Sequence, residues 1–278
     1  MLIDAKLTIF TNTKITCLII LLKEILPKIS ALIITYNEIA HIDELIEHLN
    51  FIDEIIVIDS FSTDGTYEKL TTYNHVKTIQ RKFLNFADQR NFAIKQATKD
   101  WIFFIDADER ITQKLKGDIL EAIKNKTNTV AYKFPRKFVF QNKTMRFSGL
   151  QTDKVYRLFK NGSASYFQDK IVHELLDVKG KSDVLKHIML HYSFSSVEHY
   201  RKKTEHYASL KALELLKKGK KPNGFHFYIR PAYKFITNYI LRLGFLDGKA
   251  GYVICKLNAY GVWYRYQELK RLTALPKL

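Results

Sequence analysis

Residues 101–110, WIFFIDADER, constrain this chain more than any other stretch. The five apolar residues 101–105 show no alternation, so as a strand they are covered on both faces, as in a parallel sheet of an α/β protein. Two carboxylates follow at once. Asp106 and Asp108 are two residues apart, so in extended backbone they project to the same side and can face one cation. Open α/β sheets bind ligands outside the carboxyl ends of their strands. Hard cations such as Mg²⁺ or Mn²⁺ sit there between one or two carboxylates and a substrate's phosphates. A lone Asp-x-Asp serves equally as a turn and helix cap, so the context has to decide.

The context is a β-α-β-α rhythm. Residues 29–35 (ISALIIT) read as a strand and 42–49 as an amphipathic helix with Leu45, Ile46 and Leu49 on one stripe. A second strand, 54–58, ends in Asp59. The cap-rich segment 60–66 (SFSTDGT) then leads into a short helix over 66–72. A third strand is expected over 76–80 and a helix over 86–97, feeding the central strand. Such alternation implies a mostly parallel sheet with right-handed crossovers. Gly65 is the only glycine before Gly117. Neither G-x-G-x-x-G nor the P-loop pattern is therefore present, and a diphosphate on this sheet would need a metal to neutralise it.

Composition bounds the rest. With 278 residues, 46% of them hydrophobic, the chain can bury a full core. Cys17 and Cys255 give neither a disulfide framework nor zinc spacing, which suits a reducing compartment. The longest apolar run, 15–26, is broken by Lys23 and Glu24 and falls short of the roughly 18–20 residues a bilayer span needs. It also lacks a small-residue cleavage site, so residues 1–27 read as an extension outside the catalytic fold. The net charge of +17 is concentrated late: residues 201–278 hold 17 Lys and Arg against 4 Asp and Glu, interleaved with aromatics. That mixture suits an anionic membrane surface or a polyanionic acceptor. Nucleic acid and a plain solvated lysine-rich face are the competing explanations.

Four motifs in order make the pattern specific. They are Ile33-Ile34-Thr35-Tyr36-Asn37-Glu38, Ile56-Val57-Ile58-Asp59-Ser60 with Ser62-Thr63-Asp64-Gly65-Thr66, Gln89-Arg90-Asn91-Phe92-Ala93, and Asp100-Trp101-Ile102 running into Asp106-Ala107-Asp108. Together they resemble the inverting family 2 glycosyltransferases of GT-A fold. Tyr156-Arg157-Leu158-Phe159, Val172-His173-Glu174, Leu190-His191-Tyr192-Ser193 and Gly244-Phe245-Leu246-Asp247-Gly248 are similar to the lipopolysaccharide-core β-1,4-glucosyltransferase subgroup, over about residues 28–272. One departure is Met145-Arg-Phe-Ser-Gly-Leu150, where that subgroup often has a glycine- and tryptophan-rich segment.

The resemblance implies roles for individual residues. Thr35, Asn37 and Glu38 would bind the nucleoside, and Asp59 would accept hydrogen bonds from uracil or ribose, an ionised carboxylate being acceptor-only. Asp88 is a further nucleotide-side candidate. Arg90 and Asn91 would face diphosphate and nucleoside, the guanidinium fork matching phosphate oxygens. Asp106, Ala107 and Asp108 would lie along the donor, with Asp106 and Asp108 holding Mg²⁺ or Mn²⁺ and Asp108 favoured as the direct ligand. His191 is a further expected ligand, with a structural histidine as the alternative. A zinc pair of His187 and His191 lacks further ligands nearby. Inverting transfer also needs a base at the acceptor hydroxyl. Glu174 is the first choice, then Asp169 and Asp177.

The C-terminal third reads as helices over 197–218, 225–243 and 252–272, with no Gln-x-x-Arg-Trp motif and no spanning helices, which disfavours a processive synthase. The expected organisation is an extension (1–27), a GT-A catalytic domain (28–195) and a helical, basic-aromatic region associated with membrane or acceptor (196–278). The expected activity is transfer of a hexose, glucose foremost, from a UDP-sugar to a membrane glycolipid oligosaccharide or another lipid carrier. Its expected place is the cytoplasmic face of the cell membrane, without nucleic acid. A nucleotidyltransferase would bring a glycine-rich phosphate loop. A non-catalytic basic binding module is the remaining alternative.

Overall fold

The computed structural model describes residues 27–125, 127–141, 143–151, 153–167, 176–194 and 196–274. Strand β1 (Ile29–Thr35) pairs in parallel with β2 (Glu54–Asp59) and β4 (Trp101–Phe104), and β2 pairs in parallel with β3 (Val76–Gln80). Helices α1 (Ile39–His48), α2 (Thr66–Thr71) and α3 (Phe86–Gln96) connect them. The missing alternation in 101–105 has the expected cause. Trp101, Phe103 and Ile105 pack with Ile33, Leu45 and Phe134 on one side of the sheet, while Ile102 and Phe104 pack with Leu32, Ile58 and Phe159 on the other. All five are essentially buried.

Beyond β4 the sheet stops being parallel. After α4 (Gln113–Lys124), strand β6 (Thr129–Phe140) pairs antiparallel with β8 (Lys154–Lys160), which is itself antiparallel to β4. Strand β12 (Met189–Phe194) then runs parallel to β6 and antiparallel to the short β5 (Glu109–Ile111). The order is β3-β2-β1-β4-β8-β6-β12-β5, with β7 (Lys143–Thr144) and β11 (Lys181–Val184) beside β6. A separate ribbon joins β9 (Ala164–Tyr166) to β10 (Leu176–Val178). The pairing of β5 with β12 positions the site, because it sets His191 opposite Glu109, directly after Asp106 and Asp108.

Three helices complete the chain. In α5 (Val197–Lys217) the Ser196 side chain caps the His199 N–H at 3.0 Å. Helix α6 (Gly224–Ile236) does not continue regularly to 243. It widens into a π turn (Thr237–Leu241), in which the Arg242 N–H reaches Thr237 O at 2.8 Å, then a 3₁₀ turn (Gly244–Asp247) reverses the chain into α7 (Gly248–Ala274). The reversal needs glycine: a Cβ on Gly244 would lie 2.7 Å from the Asn238 carbonyl oxygen, and one on Gly251 would overlap the Gly244 carbonyl. Asp247, almost fully buried, accepts from the Arg146 and Phe147 N–H groups (3.1 and 2.9 Å) and the Ser148 hydroxyl (3.0 Å). This clamp fixes the helices to the loop after β7, and Phe140, Met145, Tyr200 and Ile254 form an apolar cluster over the same joint.

Candidate active site

The loops after β1 and β2 are tied together by side chains. Asn37 adopts the left-handed conformation at φ 58°, which asparagine tolerates. Its N–H donates to Ser62 Oγ (2.9 Å) and its Oδ1 accepts the Thr63 N–H (2.8 Å). The Glu38 N–H donates to Thr66 Oγ1 and the Ile39 N–H to Asp64 Oδ2, so the second loop caps the first helix. Asp59 is fully buried and accepts from the Ser62 N–H (3.0 Å), the Ser62 hydroxyl (2.5 Å) and Gln80 Nε2 (3.4 Å). The expectation of an open carboxylate for base or ribose thus meets one directed at its own turn. Thr35 is buried, and its hydroxyl has no hydrogen-bond partner among the described residues.

After β4 the backbone turns instead of running on extended, which corrects the expectation that Asp106 and Asp108 share one side. Glu109 Oε2 accepts the Asp106 N–H (3.0 Å) and the Glu109 N–H returns to Asp106 O (3.0 Å), closing the turn. Asp106 faces two arginines: Arg157 Nη2 donates to Oδ2, and Arg90 Nη2 lies 3.3 Å from Oδ1. Arg157 also bonds Glu109 Oε1 (2.6 Å), which accepts from Arg136 Nη1 (3.0 Å), itself paired through Nε with Asp153 (2.5 Å). Glu109 has no exposure and Arg157 is nearly buried. Burial alone would raise the Asp106 carboxyl, but the charges of Arg157 and Arg90 overcome it and hold the group well below the usual carboxylate range.

Asp108 faces the other way. Its Oδ2 lies 3.2 Å from His191 Nε2, and the imidazole is packed on Phe138 with centroids 4.9 Å apart. The Tyr192 N–H donates to Asp108 O (2.7 Å), locking the turn to β12. Burial opposes ionisation of Asp108, and the hydrogen bond and charge of His191 reverse that. Lys203, from α5, adds favourable charge toward both Asp108 and Glu38. Glu38 itself is pushed up to about 7, by burial first and by the Asp108 charge second. Its folded value exceeds its ordinary 4.5. The folded state therefore binds more protons between those values, and this group's stability contribution is present below pH 4.5 and lost as pH rises through about 7. Glu38→Gln is accordingly expected to flatten the fall in melting temperature across that window. Parallel wild-type and variant curves would contradict it.

The α3 candidates serve different partners. Arg90 lies over the Tyr166 ring at 5.3 Å as well as beside Asp106. Both ends of the Asn91 amide are engaged by the backbone of Tyr166, each at 2.8 Å, so this residue ties α3 to β9. Asp88, with its N–H capped by Asn85, pairs with Arg81 at 2.5 Å. Ala107 is buried, and its carbonyl accepts from Arg110 Nη1 (2.7 Å). Glu174 and Asp169 lie outside the described residues. Asp177 lies on the β9–β10 ribbon, paired with Ser165. His187 is bound to Asp118 through its N–H (2.8 Å) and Nδ1 (2.9 Å), a structural pairing distinct from His191.

Arg157, Arg136, Glu109 and Lys203 received no role from sequence. A signal for the first was present: one arginine inside the apolar run Val155-Tyr156-Arg157-Leu158-Phe159 must find a buried anion. No comparable local signal marks Lys203 on its charged helix.

The donor set suits a hard divalent cation in part. A carboxylate oxygen and an imidazole nitrogen share a hydrogen bond at Asp108 and His191, and a metal can replace the shared proton. Asp106 does not fit as a direct ligand, because both of its oxygens are held by arginines. No group of three or more His, Cys, Asp or Glu suited to a metal occurs among the described residues. Among the described residues, Asp108 and His191 are thus the two groups placed to hold such an ion, which would need substrate phosphates or water to complete its coordination.

Residues 30–174 match the family described as Glycosyl transferase family 2. A glycosyltransferase of Rickettsia typhi is 31% identical over 259 residues, covering 89% of this chain and 88% of its own. The lipopolysaccharide core biosynthesis glycosyltransferase LpsC of Rhizobium meliloti is 26% identical, covering 87% and 94% respectively. Among solved structures, S. aureus TarS 1-349 in complex with UDP-GlcNAc aligns with a TM-score of 0.47 at 17% identity, over 86% of this chain and 91% of that one.

Proposed function

The chain belongs to glycosyltransferase family 2, and we propose that it is an inverting hexosyltransferase moving glucose from UDP-glucose to the oligosaccharide of a membrane glycolipid such as lipopolysaccharide core. The observation that carries this reading is the convergence at the end of β4 of Asp108 and His191 beside the Asp106–Arg90–Arg157 group. In this reading Asp108 and His191 hold Mg²⁺ or Mn²⁺. When bound, that cation neutralises charge on the departing diphosphate. Arg90, positioned by Asp106 and Tyr166, donates to phosphate oxygens, and Lys203 adds cationic charge from α5. Asn37, Glu38 and Thr35 border the nucleoside side, with Asp59 shaping the loop there. The acceptor hydroxyl forms the new bond to the anomeric carbon as the bond to UDP breaks, and its proton passes to the base, assigned on sequence to Glu174.

The acceptor class is supported by the naming of LpsC for lipopolysaccharide core biosynthesis. The division into 1–27, 28–195 and 196–278 belongs to the same reading, with the last part meeting an anionic membrane at its cytoplasmic face. No helix among the described residues is long and apolar enough to cross a membrane. The test is a panel of UDP- and GDP-hexoses with and without Mn²⁺, scored by nucleotide release. Cation-dependent release from UDP-glucose above the others is expected. The absence of turnover for every donor with either cation would overturn the proposal.

A further inference from the structure

We infer that α6, the π turn and the 3₁₀ corner, over residues 225–252, form a membrane-interface dock that lies along an anionic lipid surface with its apolar side chains at the boundary between headgroups and acyl chains. This goes beyond a general membrane association by naming the surface, and it stands independently of the transferase reading.

The apolar exposure is concentrated there. Tyr228 is 77% exposed, Leu241 69%, Tyr233 67%, and Phe225, Ile229, Ile236, Ile240, Phe245 and Leu246 are all exposed as well. No residue of the 13-residue helix α6 is buried. A water-soluble surface rarely gathers so many large apolar groups unless something covers them. The aromatic members are suited to an interface, where one end of the ring is apolar and the other wet.

The charge selects the partner. Residues 218–252 contain seven Lys and Arg and one acid, Asp247, which is buried in its clamp. The segment thus offers apolar groups and cations together, with no exposed carboxylate to repel a negatively charged headgroup. Helix α5 is the internal contrast. It is equally rich in charge but of both signs, with Arg201, Lys211 and their glutamates paired along its own surface. Such a face is satisfied by water. A second copy of the chain would be an alternative cover for the apolar groups. Its own 225–252 surface carries the same positive charge, so a symmetric contact would place like charges together.

The experiment uses the full chain and phosphatidylcholine vesicles with and without phosphatidylglycerol, at low and high salt. Co-sedimentation is expected with the anionic vesicles, weakened but retained in part at high salt because the apolar contribution is not screened. Tyr233→Glu with Leu241→Glu, both at exposed positions, is expected to lower vesicle partitioning by at least about tenfold. Lys202→Glu, on the exposed face of α5, is expected to change it by less than about twofold. Four results would overturn the inference: indifference of the wild type to anionic lipid, equal binding by the double variant, a dimer in solution that the double variant splits, or tighter binding to single-stranded DNA than to vesicles that the double variant abolishes. UDP-sugar hydrolysis is expected to survive in the double variant. Vesicle binding without any hydrolysis by the wild type would instead sink the transferase reading and leave the dock standing.

Discussion

Asp108→Ala is expected to lower UDP-sugar turnover by about 10³-fold, equivalent to some 4 kcal/mol of lost transition-state stabilisation, while the melting temperature moves by no more than about 3 °C. The two halves of this expectation come from one feature. The carboxylate is 18% exposed and bonded to His191 at 3.2 Å. Its removal deletes one hydrogen bond at a partly exposed carboxylate and leaves the backbone bond from Tyr192 to the turn in place, so little folding energy is lost. In the proposed reading, the same removal takes away one of the two cation ligands found among the described residues, and the diphosphate then leaves without its counter-charge. Turnover within about threefold of wild type would remove Asp108 from the donor site.

Glu109→Ala is expected to do the reverse, destabilising the fold by about 3–5 kcal/mol, since removing one partner of a buried ion pair leaves uncompensated charge. Glu109 is fully buried between Arg157 and Arg136 and also accepts the Asp106 N–H. Two guanidinium groups and one amide would lose an acceptor together. Thermal unfolding should show a drop on the order of 10 °C, with Glu109→Gln falling between, since it keeps an acceptor oxygen and loses the charge. An unchanged melting temperature for the alanine variant would mean that the arginines find other anions and that the turn is not built on Glu109.

The parallel half of this fold was legible because its determinants are local. Apolar runs that lack alternation and the cap-rich loop SFSTDGT each announce an element within a few residues. Strand β3 and helix α3 accordingly fall where the spacing predicts, helix α3 one residue short. The site was less legible, because its geometry is set by partners far along the chain. Asp106 meets Arg157, 51 residues away, and Asp108 meets His191, 83 away. A two-residue spacing cannot foresee that the backbone between them turns so that each carboxylate takes a different partner. Asp59 and Asn91 show the same limit: their residue types suit a ligand, but in the structure they bind a neighbouring turn and a strand. The chain reversal after the π turn likewise depends on the close approach of Gly244 and Gly251, which no local pattern reports.

The central claim is that the cation and the donor diphosphate complete one site on Asp108 and His191. Titration calorimetry of Mn²⁺ with and without UDP addresses it most directly. The account predicts weak Mn²⁺ binding to the protein alone, at least about tenfold tighter binding with UDP present, and loss of that enhancement in Asp108→Asn. Mn²⁺ affinity indifferent to UDP, or an enhancement that persists in Asp108→Asn, would contradict it.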